Sequence, residues 1–326
     1  MTGRAQQKDD FLEGTLWRDA ERSPLAGDLS ARNYVRLKAP SGETAILMNA
    51  PPESDASTPD FVKMTMWLSA INLSVPAIHA ADTGNGLLLL EDFGDNKVSD
   101  LAVANPKLGA EIYELALDLL IHIRQQSAPD LAAPDAGELV EMTRLAYDHY
   151  PGVRAEGLSG FCLLLETILD ELLNEENSVS LRDFHAENLM WLPNRRGLMR
   201  LGVLDYQDAF ITHPVYDLVS LLTDARVDIA PEFRSRMIDE YAARTGDDIE
   251  GLRLAFVAFS AQRNLRILGV FARAARQLGK PHHLTKLPRV HGYLSEALHH
   301  PVFSDVAEET LASIPEPTAE IIEALT

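Results

Sequence analysis

The sequence has a single cysteine, no long apolar run and far fewer basic than acidic residues. Cys162 alone excludes an intramolecular disulfide and a metal site built from several cysteines. No apolar stretch approaches the roughly 20 residues that span a bilayer. Residues 1–10 lack the apolar core of a signal peptide, so we expect a cytoplasmic protein. The 29 basic and 49 acidic residues give a net charge of −20, which disfavours nucleic acid and anionic membranes as partners.

Length and composition predict a globular protein with two parts. At 326 residues, 46% hydrophobic and 24% charged, the chain suits two domains or one bilobal domain. Residues 34–38 and 44–48 flank a Pro-Ser-Gly turn and predict a β-hairpin, and residues 87–90 predict a central strand. Helical patterns dominate afterwards, so we expect a small mixed lobe over residues 1–91 and a mainly helical lobe over residues 92–326.

One short island of predicted strands interrupts the helical part of the chain. The island comprises residues 189–192 and 198–204, separated by a polar turn. The proline-containing tail after residue 300 is expected to be partly loose. Apolar residues recur at helical spacing in residues 60–71, 105–127, 136–150, 158–175, 231–245, 250–278 and 284–299.

Polar residues flank this island in a pattern that suits phosphoryl transfer. That reaction needs a carboxylate to orient or deprotonate the acceptor hydroxyl, and oxygen ligands for Mg²⁺. Asp183 and Asn188 lie at the two ends of one loop before the first island strand, and Asp205 ends the second. Pairing of the two strands would bring Asn188 and Asp205 close together. These residues predict a magnesium-dependent phosphotransfer site.

In these motifs the sequence resembles the aminoglycoside phosphotransferase and choline kinase family, the small-molecule relatives of protein kinases. The family's loop, roughly H-x-D-x-H-x-x-N, corresponds to residues 181–188, and its I-D-[WF]-x-[DE] segment to residues 204–208. The resemblance implies a bilobal protein-kinase-like α+β fold with ATP and Mg²⁺ as cofactors. It implies that Asp183 is the catalytic base, that Asn188 and Asp205 are Mg²⁺ ligands, and that His185 braces the loop.

The adenine site is expected at the linker between the two lobes. Residues 92–94 read Asp-Phe-Gly, the metal-binding tripeptide of protein kinases. They precede Asp183, however, whereas the metal aspartate of those enzymes follows the catalytic loop. We therefore interpret this segment as the linker, where the resemblance implies backbone contacts to adenine from Leu90, Glu91 and Asp92.

Phosphate binding departs from the kinase pattern. Met48 occupies the position of the usual strand lysine, and the predicted helix at residues 60–71 has no glutamate to pair with a lysine. Leu181 replaces the first histidine of the loop. In our interpretation the turn before the first predicted strand compensates, with phosphate contacts from Ser30 and Arg32, and Arg36 on the strand is a second candidate. The alternative for either arginine is a solvent-exposed strand charge.

Further motifs resemble one subgroup of this family, the anomeric sugar kinases of bacterial cell-wall recycling. These motifs are S-A-R-x-Y-x-R at residues 30–36, G-L-L-L-L-E-D-F-G-D at 86–95 and Q-R-N-L-R-I-L-G-V-F-A-R at 262–273. The resemblance implies ATP-dependent phosphorylation of the C1 hydroxyl of a small-molecule amino sugar, N-acetylmuramate or N-acetylglucosamine. The candidate acceptor contacts are Glu187, Gln207, Arg263, Asn264 and Arg266.

Two of these candidates suit the carboxylate of N-acetylmuramate. Arg263 or Arg266 would bind it at two points, as an arginine fork does, and the alternative is an ion pair with an acidic residue inside the helical lobe. For the whole chain, an aminoglycoside or other small-molecule kinase and a nucleotide-binding pseudokinase are the rival functions. A protein kinase is disfavoured because no activation segment follows Asp205. The oligomeric state is not predicted.

Overall fold

The chain forms two compact units. The computed structural model describes residues 2–25, 32–52 and 58–326. The first unit consists of residues 1–98 and 188–208, and the second of residues 99–187 and 209–326. Residues 188–208, which the sequence analysis places in the C-terminal lobe, therefore belong to the first unit. The predicted phosphate contact Ser30 lies outside the described residues.

Strands are concentrated in the first unit and helices in the second. The strands are β1 Glu21–Pro24, β2 Asn33–Lys38, β3 Thr44–Asn49, β4 Ile78–Asp82, β5 Leu87–Glu91, β6 Ser178–Ser180, β7 Leu189–Trp191, β8 Leu201–Val203 and β9 Phe210–Thr212. The α-helices are α1 Thr2–Leu12, α2 Thr58–Ala70, α3 Val98–Ala104, α4 Pro106–Arg124, α5 Ala136–Glu141, α6 Arg144–His149, α7 Ser159–Glu175, α8 Val215–Leu222, α9 Pro231–Thr245, α10 Ile249–Leu278, α11 Leu287–Leu298, α12 Ala307–Ser313 and α13 Ala319–Glu323.

A five-stranded antiparallel sheet forms the centre of the first unit, in the order β1-β2-β3-β5-β4. β2 and β3 are joined by a turn in which Gly42 has a φ of +93°. Glycine adopts this conformation without strain, so it permits the tight connection. The predicted hairpin and the predicted central strand are confirmed. β1 is not predicted, because its four residues are all exposed and leave no apolar pattern in the sequence.

Apolar residues from the sheet and from α1 build the core of the first unit. Alternate residues of a strand share one face of a sheet, so Leu87 and Leu89 lie on the same side of β5. The buried cluster on that side comprises Leu12, Trp17, Leu37, Ala39, Ala45, Leu47, Leu87 and Leu89. Leu88 is also fully buried, which explains why the apolar run of β5 predicts a strand covered on both faces.

The β7–β8 hairpin is attached to the first unit through backbone hydrogen bonds. The N–H of Val203 donates to the carbonyl of Ser74 at 2.8 Å, and the N–H of Trp191 donates to the carbonyl of Asn96 at 2.8 Å. The hairpin predicted from the β island is confirmed, with Leu189 opposite Val203. Its second strand is shorter than predicted, because Gly197–Arg200 forms a turn of 3₁₀ helix.

The second unit is built around α10, a helix of 30 residues. The Asp248 side chain caps its N-terminus by accepting from the N–H of Gly251 at 2.8 Å. α6 crosses α10 so closely that a Cβ atom on Gly269 would lie 2.1 Å from the carbonyl carbon of Leu145. The helix predicted over residues 136–150 is in fact two helices, α5 and α6, with a break at residues 142–143.

The C-terminal tail is ordered, contrary to the expectation of a loose segment. It contains α12 and α13, and it is fixed by backbone and side-chain contacts. The N–H of Arg154 donates to the carbonyl of Ser313 at 3.0 Å, and the Tyr150 hydroxyl donates to the carbonyl of Pro315 at 3.0 Å. Within the described residues, no helix combines the length and the apolarity that a membrane span requires.

Candidate active site

The loop that carries Asp183 lies in the second unit, directly after β6. β6 pairs with β9, so this loop starts from a short antiparallel ladder. Leu181, Phe184 and Ala186 are buried, whereas the Asp183 side chain is 33% exposed. Burial of the apolar residues therefore fixes the loop and leaves the Asp183 carboxylate partly accessible to a ligand.

Asp217 holds the N-terminal half of this loop. Its side chain is in the apolar helix α8, is 3% exposed, and accepts from the N–H of Leu181 at 2.6 Å, the N–H of Arg182 at 3.0 Å and the hydroxyl of Ser180 at 2.8 Å. Arg182 has a φ of +69°, an unfavourable conformation for a residue with a side chain. The hydrogen bonds that the N–H of Arg182 donates to the Ser180 hydroxyl and to the Asp217 carboxylate hold the backbone in this strained state.

The charge on Asp217 has an energetic cost. Burial raises the pKa of its carboxyl to about 6, against the lowering effect of hydrogen bonds from Leu181 and Ser180. Asp217 is not among the residues predicted from the sequence. The only signal is a single carboxylate in the mostly apolar segment VYDLVSLL.

Asp224 holds the C-terminal half of the loop. Its carboxylate accepts from the N–H of Ala186 at 3.1 Å and from the N–H of Arg226 at 2.9 Å. The Arg226 guanidinium in turn forms an ion pair with Glu187, and the Lys286 ammonium lies 3.9 Å from the same carboxylate. Glu187, a predicted acceptor contact, is therefore part of an ion-pair network. Asp224 and Arg226 were also missed by the sequence analysis.

His185 is the predicted brace of the loop. It is almost completely buried. Burial lowers the pKa of its imidazole well below the usual value, and the nearby cations Arg226, Arg263 and Lys286 lower it further. The ring is therefore neutral at neutral pH, and its bracing role stays a prediction.

The predicted acceptor contacts on α10 have different surroundings. The Arg263 guanidinium donates to the Ser220 hydroxyl at 2.7 Å and lies 3.9 Å from the Asp183 carboxylate. The Asn264 amide donates to the carbonyl of Ser260, one turn earlier in the same helix, at 2.8 Å. Arg266 is 9% exposed. The structure therefore brings Arg263 to Asp183 and directs Asn264 into its own helix.

The two predicted metal ligands lie at the end of the β7–β8 hairpin, in the first unit. The N–H of Leu204 donates to the carbonyl of Asn188 at 2.9 Å and extends the ladder by one position. Asp205 follows with a φ of +57°. The next residue, Tyr206, anchors the segment through a 2.7 Å hydrogen bond between its hydroxyl and that of Thr65. An amide and a carboxylate supply the oxygen donors that Mg²⁺ prefers, so this pair fits the predicted metal.

Arg32 and Gln207 contact the carboxylate of Asp205. Arg32 is 5% exposed, and its guanidinium donates to Asp205 at 2.8 Å and to Asp208 at 3.4 Å. The Gln207 amide donates to Asp205 at 3.0 Å and to Asp208 at 2.7 Å. Burial lowers the pKa of Arg32, but Tyr34, Asp205 and Asp208 outweigh it and the net pKa is raised. The alternative of a solvent-exposed strand charge is therefore wrong for Arg32.

Arg36 and the expected adenine linker form a separate network in the first unit. The Arg36 guanidinium lies 2.7 Å from the Asp92 carboxylate and 2.8 Å from that of Asp95. The Glu91 carboxylate forms an ion pair with Arg195, while Leu90 is buried in β5. Arg36 thus ties β2 to the segment after β5. Contacts of this segment with a nucleotide stay a prediction.

Comparison with known proteins identifies the family. The sequence model of the phosphotransferase enzyme family matches residues 21–255. The chain belongs to this family. Proteins named N-acetylmuramate/N-acetylglucosamine kinase from Caulobacter vibrioides and Pseudomonas aeruginosa are each 32% identical to it, over 93% and 91% of this chain and 94% and 89% of theirs. A crystal structure of LicA in complex with AMP has a TM-score of 0.64 at 13% identity, over 90% of this chain and 98% of that one.

The phosphotransferase is an enzyme of the kinase type. Both the family resemblance and the protein-kinase-like α+β fold predicted from the sequence are confirmed. Met48, which is predicted to stand at the usual lysine position, is fully buried in β3 and pairs with Tyr34 and Leu88. α2 offers Asp60 and Lys63 but no glutamate.

Proposed function

We propose that this phosphotransferase transfers the γ-phosphoryl group of ATP to the anomeric C1 hydroxyl of N-acetylmuramate and N-acetylglucosamine. The observation that carries the proposal is the similarity to kinases named for these two sugars over 93% of the chain. AMP in the related LicA fold supports the use of an adenine nucleotide. We place the reaction in the cytoplasm, where ATP is available.

Asp183 is the proposed general base. The C1 oxygen forms a bond to the γ-phosphorus, the bond from that phosphorus to the β,γ-bridging oxygen breaks, and ADP leaves while Asp183 takes the hydroxyl proton. The partly exposed carboxylate beside the buried Phe184 and Ala186 supports this role. Asp217 and Asp224 are positioning residues, because they hold the loop backbone on either side of Asp183.

Asn188 and Asp205 are the proposed ligands of Mg²⁺. When bound, the ion neutralises charge on the phosphate oxygens. Arg32 is the proposed further cation, since the Met48 position is apolar and the Arg32 guanidinium lies beside Asp205, a proposed metal ligand. Ser30 and Arg36 remain proposed nucleotide contacts, together with the backbone of Leu90, Glu91 and Asp92.

The acceptor is an amino sugar rather than an aminoglycoside. Arg263 lies 3.9 Å from Asp183, and Arg182 and Arg266 also act electrostatically in this region. A polycationic acceptor would be repelled by these three arginines. Gln207 and Glu187 are bound to neighbouring charges in the protein, so they are weaker candidates for sugar contacts than the α10 arginines.

An ADP-release assay with a panel of acceptors tests this proposal. We expect turnover with N-acetylmuramate and N-acetylglucosamine and none with choline or streptomycin. Asp183→Asn should reduce kcat by about 10²–10⁴-fold, the usual contribution of a general base, with ATP binding retained. The exposed Asp305→Asn serves as control and should keep full activity. ATP binding without turnover of any acceptor would favour a pseudokinase, and a loss below tenfold in Asp183→Asn would contradict the assignment.

A further inference from the structure

We propose that Arg266, assisted by Arg182, binds a carboxylate on the acceptor and so favours an acidic amino sugar over a neutral one. This inference rests on the proposed function, and it selects one residue from the polar motif at residues 262–266.

The other polar side chains of this motif already have partners. The Gln262 amide donates to the carbonyl of Leu139 at 2.6 Å, and Arg263 donates to Ser220 at 2.7 Å. Asn264 donates to Ser260 within α10. Within the described residues, no ion pair or side-chain hydrogen bond involves the guanidinium of Arg266. Residues three apart on a helix share a face, so Arg266 lies on the side of α10 that presents Arg263.

An isolated guanidinium is expensive to bury. Arg266 is 9% exposed, and removal of a cation from water costs several kcal/mol unless a partner compensates for it. Burial lowers the pKa of Arg266, and Arg182 and Arg263 lower it further, while Tyr216 and Asp183 raise it. Nε of Arg182 is itself buried without a hydrogen-bond partner in the described part of the chain. The region around Arg182 and Arg266 therefore lacks negative charge, and an anionic ligand can supply it.

The nearby carboxylates do not balance the three arginines. Asp217 is already engaged by the backbone N–H groups of Leu181 and Arg182. Asp183 is paired with Arg263 at 3.9 Å. The excess of positive charge is unusual in a chain with a net charge of −20. Such a local excess fits an anionic group on the acceptor, because attraction and desolvation both favour its binding there.

The two candidate sugars differ in the group that an arginine fork recognises. N-acetylmuramate carries a lactyl ether that ends in a carboxylate, whereas N-acetylglucosamine has a neutral hydroxyl at the same carbon. A planar guanidinium binds a carboxylate through two parallel hydrogen bonds, which a hydroxyl cannot reproduce. The change that replacement of Arg266 causes in the ratio of kcat/KM between the two sugars therefore measures its contribution to this discrimination.

Arg266→Gln should lower kcat/KM for N-acetylmuramate by at least about tenfold, because a buried charged partner of the substrate is lost. For N-acetylglucosamine we expect a change of less than about threefold. Arg266→Lys keeps the charge without the fork and should give an intermediate ratio. The control is Arg234→Gln, which removes an arginine 6% exposed and paired with Glu296 and should leave the ratio unchanged.

The Tm of a second variant, Arg266→Met, gives a test that does not depend on activity. Replacement of an unpaired buried cation by a methionine of similar length should leave the Tm of Arg266→Met unchanged or raise it. Equal losses with both sugars in Arg266→Gln would show a general role, such as phosphate binding, and would overturn the inference. An unchanged ratio of kcat/KM in an Arg266→Gln variant with full turnover would also overturn the inference, while the proposed function would stand. Failure of the unaltered chain to phosphorylate either sugar would instead overturn the proposed function.

Discussion

Asp217→Asn tests whether a buried carboxylate holds the loop of Asp183. The substitution keeps the shape of the side chain but replaces one acceptor oxygen by an NH₂ group. If the amide retains the bonds from Ser180 and Arg182, the N–H of Leu181 loses its acceptor at 2.6 Å. A buried donor without a partner costs about 1–3 kcal/mol.

The substitution also removes the buried negative charge of Asp217, and this gain in stability opposes the loss from the unpaired N–H of Leu181. The pKa of Asp217 rises from 3.8 to about 6 in the folded protein, which corresponds to about 3 kcal/mol of unfavourable free energy at pH 8. Because the folded pKa lies above the unfolded one, stability from this group is complete below pH 3.8 and is lost as the pH rises through 6. The unaltered protein should therefore lose about 1.5 kcal/mol relative to Asp217→Asn between pH 5 and pH 8.

Denaturant unfolding at the two pH values measures this difference. Circular dichroism is the suitable probe, since Trp17, Trp67 and Trp191 all lie in the first unit whereas Asp217 lies in the second. We also expect kcat to fall by about 10²-fold, the typical effect of a catalytic group displaced by about 1 Å. Equal stability differences at both pH values, together with kcat within twofold of the unaltered protein, would refute the reasoning.

Two further predictions concern helix packing and metal binding. Gly269→Ala should destabilise the second unit by about 1–3 kcal/mol through overpacking against Leu145. The matched control Gly292→Ala, with nothing within 4 Å of its Cβ, should stabilise the second unit by up to about 1 kcal/mol. Changes of the same sign in the unfolding free energies of the two variants, measured by circular dichroism, would contradict this. Asp205→Asn should raise the Mg²⁺ concentration for half-maximal turnover at least about tenfold, because even an outer-shell partner contributes 10–100-fold. An unchanged Mg²⁺ titration would remove Asp205 from the metal site.

Elements with a strong local pattern could be predicted from the sequence. The β2–β3 hairpin has a turn signal between two β-rich runs, and α10 has helical periodicity over its whole length. β1 and α13 could not be predicted in this way, because they are short and lack a buried apolar face of their own. The break between α5 and α6 lies inside a continuous helical pattern, so the apolar periodicity does not show it.

The same distinction applies to the candidate site. The sequence allowed the selection of Asp183, Asn188 and Asp205, because their positions around the predicted strands form a pattern typical of phosphotransfer sites. The contact of Asp217 with Leu181 joins residues 36 apart, and that of Arg32 with Asp205 joins residues 173 apart. Such pairs depend on how the chain folds. The candidate catalytic residues and Arg32 could therefore be found from the sequence, whereas Asp217, Asp224 and Arg226, which hold the loop of Asp183, could not.

The position of the transferred phosphate tests the central claim most directly. The protein is incubated with Mg·ATP and N-acetylmuramate, and the product is examined by proton-coupled phosphorus NMR. We predict a phosphate signal coupled to the single proton on C1 of the sugar. A phosphate on C6, or no phosphorylated sugar at all, would contradict the assignment of an anomeric amino-sugar kinase.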